Sequence, residues 1–237
     1  MKISIVIPAY NEEKRIGNSL KKIIKFCNKN LTDYELIIVN DFSKDNTLEI
    51  INKNKNKKTK VLKNKKNKGK GYTVKRGILN AKYPLVLFSD SDLATPIEEI
   101  LKMLKYIPKY DIIIASRNLK KSDVRVKQSW YRQIMGKTFP IIVNMLAVPG
   151  IRDTQCGFKL FKTDLAKKIV SKQTINRWAF DVELLFIARK MNLKIKEVPI
   201  IWIDKEGSTI TNPLRDATKM LKDVIKIQLN NFKGKYD

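Results

Sequence analysis

Short apolar runs alternate with stretches of helical periodicity, and this rhythm limits the possible folds more than any other feature. Ile3–Ile7, Glu35–Val39, Lys60–Leu62, Leu85–Phe88 and Asp111–Ala115 read as strands. Between them, Arg15–Cys27 carries Ile16, Leu20, Ile23, Ile24 and Cys27 at helical spacing. A further helix starts within Asp45–Asn52, and Tyr72–Ala81 and Pro96–Tyr106 complete the series. Strand–helix alternation predicts an α/β fold with a mostly parallel sheet flanked by helices. A chain of 237 residues, 43% of them hydrophobic, suits one domain with a single substantial core.

In such sheets ligands settle beyond the carboxyl ends of the strands. There the chain reads Pro8-Ala9-Tyr10-Asn11-Glu12, Asn40-Asp41-Phe42-Ser43 and Ser89-Asp90-Ser91-Asp92. Three acidic clusters thus converge on one rim of a protein whose net charge is +26. The basic excess attracts polyanions: nucleic acid, anionic lipid headgroups or a phosphorylated substrate. Nucleic acid fits poorly, because carboxylates at the strand ends repel a phosphate backbone. The densest basic run, Lys53–Lys70, is almost free of aromatics for base stacking and reads as a solvated lysine face.

Cys27 and Cys156 lie far apart, show no metal spacing and fit free thiols in a reducing cytoplasm. No secretory leader pattern precedes the first strand. No window reaches the roughly 18 apolar residues of a membrane span. Phe139–Ile151 comes nearest and is broken by Asn144, Pro149 and Gly150. Residues 124–151 mix Trp130, Tyr131, Arg132, Met135 and Phe139 with aliphatics, as an amphipathic helix does rather than a sheet element. An ordinary core helix gives the same pattern. Asn212–Phe232 is a second amphipathic, basic helix.

Asp90 and Asp92 are the sharpest chemical candidates. Two carboxylates one residue apart at a strand end suit a hard divalent cation, Mg²⁺ or Mn²⁺, bridging a diphosphate. The other reading, a cap for the next helix, is weakened because Thr95-Pro96-Ile97-Glu98 supplies its own capping box. Asp41 either ends a turn or faces the site. Arg117 follows another strand and is either a surface ion-pair partner or a phosphate fork. Asp181 and Glu183 lie in the apolar stretch Arg177–Leu185, either paired with Arg177 or poised at a site.

These residues resemble a known family. Ile5–Glu12, the Asp41/Ser43/Asp45/Thr47 segment and Asp90-Ser91-Asp92 are similar to the nucleotide-binding half of family 2 glycosyltransferases, which have the GT-A fold. Arg152–Phe161, Arg177–Leu185 and Glu206-Gly207-Ser208 resemble the dolichyl-phosphate β-glucosyltransferases, relatives of the dolichyl-phosphate mannose synthases. The likeness spans residues 1 to 211. It implies one GT-A domain over 1–237, with a nucleotide-binding half (1–118), an acceptor-binding half (119–211) and a C-terminal amphipathic helix (212–237).

The resemblance implies that Pro8, Ala9, Tyr10, Glu12 and Asp41 hold base and ribose, while Asp90 and Asp92 meet diphosphate and metal. Arg117 and Arg132 bind the lipid phosphate, and Ser208 sits in a loop closing over the site. Asp181 and Glu183 remain candidates for the sugar or acceptor site. Asn40 and Phe42 depart from the Asp and Gly common in the family, and Ala94 offers no ligand where mannose synthases supply Gln. The implied reaction is inverting transfer of glucose from UDP-glucose to a dolichyl or polyprenyl phosphate; GDP-mannose and UDP-N-acetylglucosamine are alternative donors. The acceptor phosphate is already anionic, so the chemistry needs positioning and charge stabilisation rather than a strong base, in keeping with a chain without histidine. The enzyme would dock on the cytoplasmic face of an anionic membrane through its basic surface and the 124–151 segment. The oligomeric state is left open.

Overall fold

The computed structural model describes residues 1–125, 147–203 and 213–237, with side chains of 213–217 excepted. Seven strands form one sheet in the order β3-β2-β1-β4-β7-β5-β8. These are β1 (Lys2–Ala9), β2 (Asp33–Asn40), β3 (Thr59–Lys63), β4 (Leu85–Ser89), β5 (Ile112–Ser116), β7 (Phe158–Lys162) and β8 (Ile195–Pro199). All neighbours run parallel except β7, which lies antiparallel between β4 and β5. A second, two-stranded parallel sheet pairs β6 (Asp123–Arg125) with β9 (Ile201–Ile203). The helices are α1 (Ile16–Asn30), α2 (Thr47–Asn54), α3 (Lys70–Leu79), α4 (Ile100–Leu104), α5 (Thr163–Lys172), α6 (Phe180–Lys190) and α7 (Pro213–Phe232).

The strands read as continuous apolar runs because both sheet faces are covered. Ile3, Ile5, Ile7, Leu36 and Ile38 point into a core with Leu20 and Ile23 of α1. Val6, Ile37 and Val39, offset by one residue, join the opposite core with Val74 and Ile78 of α3 and residues of α5, α6 and α7. The period of two along a strand thus fills two cores from one sequence. The carboxyl ends of β1, β2 and β4 come together where the strand order turns back on itself, which is where a ligand crevice forms in such sheets.

The expected strands and early helices are all present, shifted by a few residues at their ends. Pro96–Tyr106 differs: a 3₁₀ turn at Ile97–Glu99 leads into the short α4. The capping box expected at Thr95 is not formed, since neither segment has a side-chain cap bond. Thr95 instead turns inward toward Cys156 Sγ at 3.8 Å, and Pro96 stands at the cap position. Val124 and Arg125 are strand rather than amphipathic helix, because β9 offers a pairing edge. The rest of that segment, residues 126–146 with Arg132, lies outside the described residues, as does Ser208. Among the described residues no helix is long and apolar enough to cross a membrane.

Candidate active site

The three rim loops hold each other in place. Asn11 Oδ1 accepts from Lys44 N (2.9 Å), and Ser43 Oγ accepts from Asn11 N (3.0 Å). Glu12 N donates to Thr47 Oγ1 at 2.6 Å, and Glu13 N to Asp45 Oδ2 at 3.1 Å, so the start of α2 is tied to the end of β1. Asn40 Oδ1 accepts from Ser43 N and Oγ (3.3 and 2.5 Å), a task that needs only an acceptor oxygen and so tolerates Asn for Asp. Asn11, Phe42 and Leu93, one in each loop, have φ of 54°, 64° and 51°. The Gly common in the family at the Phe42 position is the residue that takes this left-handed conformation without strain.

Asp41 is buried and committed to the chain itself. Its Oδ1 accepts from Asn64 Nδ2 (2.6 Å) and Lys68 N (2.8 Å), and its Oδ2 from Gly69 N (2.8 Å). It therefore fixes the turn that delivers Lys70, the first residue of α3. Gly69 (φ +94°) and Gly71 are both required there. A Cβ at Gly71 would stand 2.6 Å from Phe180 Cβ and 2.7 Å from Ile175 O.

A cavity of about 370 Å³ opens between these loops, lined by Pro8, Ala9, Tyr10, Glu12, Asp41, Asp90 and Asp92. Every residue expected on the nucleotide side therefore meets in one place. Lys70 reaches in as well, its Nζ 2.6 Å from Asp90 Oδ1 and 5.5 and 5.7 Å from the Phe88 and Trp178 ring centroids. Despite that ion pair, Asp90 Oδ1 is buried without a hydrogen bond of acceptable geometry. Asp92 Oδ1 accepts from Ala94 N (2.9 Å), so part of its role is to shape the turn. Burial, then the charge of Asp90, pushes the Asp92 carboxyl above its usual range. Burial likewise raises Glu12, outweighing its paired Arg15 (2.8 and 2.9 Å). Burial alone would lower the Lys70 ammonium, but Asp90, with Asp181 behind, holds it above its ordinary value. Shifted carboxylates and a shifted ammonium gathered in one cleft are a feature of functional sites.

Gly157 of the loop before β7 closes against Asp90: a Cβ there would lie 1.9 Å from Asp90 Oδ2. The same loop brings Asp153 to Arg117. Asp153 Oδ2 accepts from Arg117 N and Nε (2.8 Å each), and Oδ1 from Nη2 (2.9 Å). Arg117 also stacks on Trp202, 5.5 Å from the ring centroid. It stands outside the 370 Å³ cavity, and Trp202 lines a smaller cleft beside Asp90, Ala94 and Gly157.

This arrangement of rim acids agrees with the match of residues 4–170 to the model for glycosyl transferase family 2. The chain belongs to the family 2 glycosyltransferases. A dolichyl-phosphate beta-glucosyltransferase of Dictyostelium discoideum is 40% identical, the match covering 98% of this chain and 75% of the relative. The human protein of that name is 34% identical over 98% and 76%, and that of Saccharomyces cerevisiae 31% over 99% and 76%. Glucosyl-3-phosphoglycerate synthase from Mycobacterium tuberculosis, solved with Mn²⁺, UDP and glucosyl-3-phosphoglycerate, superposes with a TM-score of 0.71 at 18% identity, over 97% of this chain and 79% of that one. Mannosyl-3-phosphoglycerate synthase from Rubrobacter xylanophilus gives 0.68 at 15%, over 99% and 74%. At these identities the structural likeness establishes the GT-A fold.

In this glycosyltransferase Asp181 and Glu183 both engage partners within the chain. Neither pairs with Arg177. Asp181 forms a fully buried ion pair with Lys159, which also donates to Cys156 O at 2.6 Å. Glu183 accepts from Thr174 N and Oγ1, Ile175 N and Tyr236 OH, at 2.6 to 3.1 Å. Both acids are spent on protein partners. Lys70, Trp178, Arg177, Arg15 and Asn67 line the cavity without having been anticipated. The signal for Lys70 was its glycine bracket, Gly69-Lys70-Gly71, hidden at the end of a lysine run that otherwise faces solvent.

Proposed function

We propose that the chain transfers glucose from UDP-glucose, with inversion, to a dolichyl or polyprenyl phosphate. The observation that carries this reading is the pair Asp90–Asp92 in a cavity between the carboxyl ends of β1, β2 and β4. It is joined by relatives named for this reaction along almost the whole chain. Residues 1–118 are assigned to the donor, with Pro8, Ala9, Tyr10, Glu12 and Asp41 around the base and ribose. Residues 119–211 are assigned to the acceptor, with Arg117, Arg132 and Ser208 facing its phosphate. For Arg117 the bidentate grip of Asp153 takes Nε and Nη2, so Nη1 is the edge left to present.

The residues present fit a divalent cation, Mg²⁺ or Mn²⁺. Carboxylates are the hard oxygen donors such ions take, and Asp90 and Asp92 both line the cavity, with the Lys70 ammonium the one ion-pair partner of Asp90 among the described residues. Asp90 and Asp92 would hold the ion; no group of three or more metal-binding side chains occurs among the described residues. When bound, the cation neutralises the departing diphosphate. Lys70 adds a second positive charge on the same side. An acceptor phosphate oxygen forms the bond to the anomeric carbon as the bond to the diphosphate breaks, and UDP leaves with the electron pair. The acceptor arrives ionised, so alignment and charge supply the acceleration. A lipid-borne acceptor and a charge of +26 support a reading in which the enzyme works at the cytoplasmic face of an anionic membrane.

The test is a transfer assay with Mg²⁺ or Mn²⁺, a short polyprenyl phosphate and a panel of labelled nucleotide-sugars. Label entering the organic phase from UDP-glucose, and lost in Asp92→Asn, is the expected result. Transfer from GDP-mannose or UDP-N-acetylglucosamine instead would replace the donor. No lipid product from a folded, nucleotide-binding protein would discard the acceptor.

A further inference from the structure

The C-terminal helix α7 is apolar on two sides. Its inner side buries Val224 and Ile227 in the core, and Asn230 Nδ2 donates to Thr174 Oγ1 at 2.9 Å. Its outer side carries Leu221, Ile225, Leu229 and Phe232, which are 38%, 49%, 53% and 85% exposed. At 100° per residue these four fall within one strip about 80° wide, which runs about 17 Å along the axis. Lys222, Lys226 and Lys233, all exposed, follow on one flank of the strip, with exposed Lys219 just beyond. None of these four lysines is ion-paired among the described residues. A surface helix that serves only its own core carries polar residues on its far side.

We propose that this outer ridge of α7 is the face that seats the enzyme on an anionic lipid surface, with Leu221, Ile225, Leu229 and Phe232 entering the headgroup–acyl boundary and the lysine row reaching lipid phosphates. The proposal rests on the lipid-borne acceptor argued above and names the surface that meets the bilayer. Charge chooses the occupant. A second copy docked ridge to ridge would bring two lysine rows together in a chain of net charge +26, whereas an anionic bilayer neutralises them. The helix also has a physical link to the site. Gln155 Nε2 lies 3.2 Å from Met220 Sδ in its early turns, and Gln155 belongs to the loop that carries Asp153 and Gly157. Docking through α7 therefore sets the acceptor side of the site at a fixed height above the lipid.

The experiment is co-sedimentation of the full chain with phosphatidylcholine vesicles and with mixed phosphatidylcholine–phosphatidylserine vesicles. Wild type should pellet with the mixed vesicles at low salt and be released by high salt. Ile225→Glu/Leu229→Glu should weaken binding about 100-fold, and Lys222→Gln/Lys226→Gln about 30-fold. Both variants should keep the wild-type melting temperature and the wild-type rate on a short, water-soluble acceptor without vesicles. That rate separates the two ideas, since a failure of the transfer reaction leaves the vesicle result standing. Wild-type binding by the Glu variant overturns the proposal, as does wild type that ignores anionic vesicles. A large fall in melting temperature would mean that the chain itself covers the ridge. A wild-type dimer that the Glu variant renders monomeric would give the ridge to a second copy.

Discussion

Two acidic pairs with the same spacing, Asp90 with Asp92 and Asp181 with Glu183, occupy different regions of the molecule. The first follows a strand at the rim of the sheet, in a cavity, where among the described residues the Asp90 carboxylate pairs only with the Lys70 ammonium and Asp92 accepts one backbone bond from Ala94. The second lies in the first turn of α6, where Phe180 to Leu185 are buried without interruption. There every acid has its partner: Lys159 for Asp181, and the 174–175 turn with Tyr236 for Glu183. Spacing does not distinguish the pairs; the number of carboxylate acceptor positions left unused does. A carboxylate already satisfied by the chain stabilises the fold, and one held in partial desolvation without enough partners is available to a ligand.

The largest effect expected from this contrast is on activity at the rim. Asp92→Asn should lower kcat/KM by about 1000-fold, roughly 4 kcal/mol of lost transition-state stabilisation. The same change should not destabilise the fold. Because the native state raises the Asp92 pKa, its ionisation opposes folding as pH climbs past the unfolded value of about 3.9. Asp92→Asn should therefore match wild type in denaturant at acidic pH and exceed it at pH 7. An unstable but active Asp92→Asn would erase the distinction between the two pairs.

Glu183→Ala should do the reverse. It leaves Thr174 N, Thr174 Oγ1, Ile175 N and Tyr236 OH short of an acceptor in the interior, at a cost of about 4 kcal/mol in chemical denaturation. The fraction that stays folded should bind nucleotide as wild type does. A wild-type melting profile with lost nucleotide binding would move Glu183 back into the site.

Asp153 sharpens the comparison through pH. Burial would raise its carboxyl, but the Arg117 guanidinium holds it below the usual carboxylate range. A depressed native pKa contributes stability above the unfolded value of about 3.9, and that contribution disappears as pH falls through the native value. Asp153→Asn should thus cost about 3 kcal/mol at pH 7, the loss expected when a buried pair is broken from one side. The gap should close only below about pH 4. A gap independent of pH would mean that Asp153 acts through shape rather than charge.

Much of this was legible in the sequence. The α/β rhythm and the three polar strand ends follow from periodicity, and the rim residues Pro8 to Glu12, Asp41, Asp90 and Asp92 do meet in the cavity. What local pattern could not reveal was long-range pairing. Asp153 reaches Arg117 from 36 positions away, and Lys159 meets Asp181 from 22. The strand β7 that carries Lys159 enters the sheet antiparallel between β4 and β5, an arrangement with no local signature. The Thr95 capping box failed for the same kind of reason, since a buried Cys156 offered the hydroxyl a tertiary neighbour.

The smallest expected effect concerns strain rather than charge. Phe42, at φ 64° and largely exposed, holds a left-handed conformation that costs an L-residue with a bulky side chain about 1 kcal/mol or more. Phe42→Gly should relieve that strain, while the greater freedom of glycine in the unfolded chain takes back part of the gain. A net stabilisation of about 0.5 kcal/mol is expected in denaturant titrations. Phe42 neighbours Asp41, whose oxygens fix the Lys70 turn, so the same variant should leave nucleotide affinity unchanged if the turn is held by Asp41 alone. A gain in stability with weakened nucleotide binding would mean that the strained Phe42 backbone itself presses the rim loop into its binding shape, and that the rim differs from the interior in strain as well as in unused acceptors.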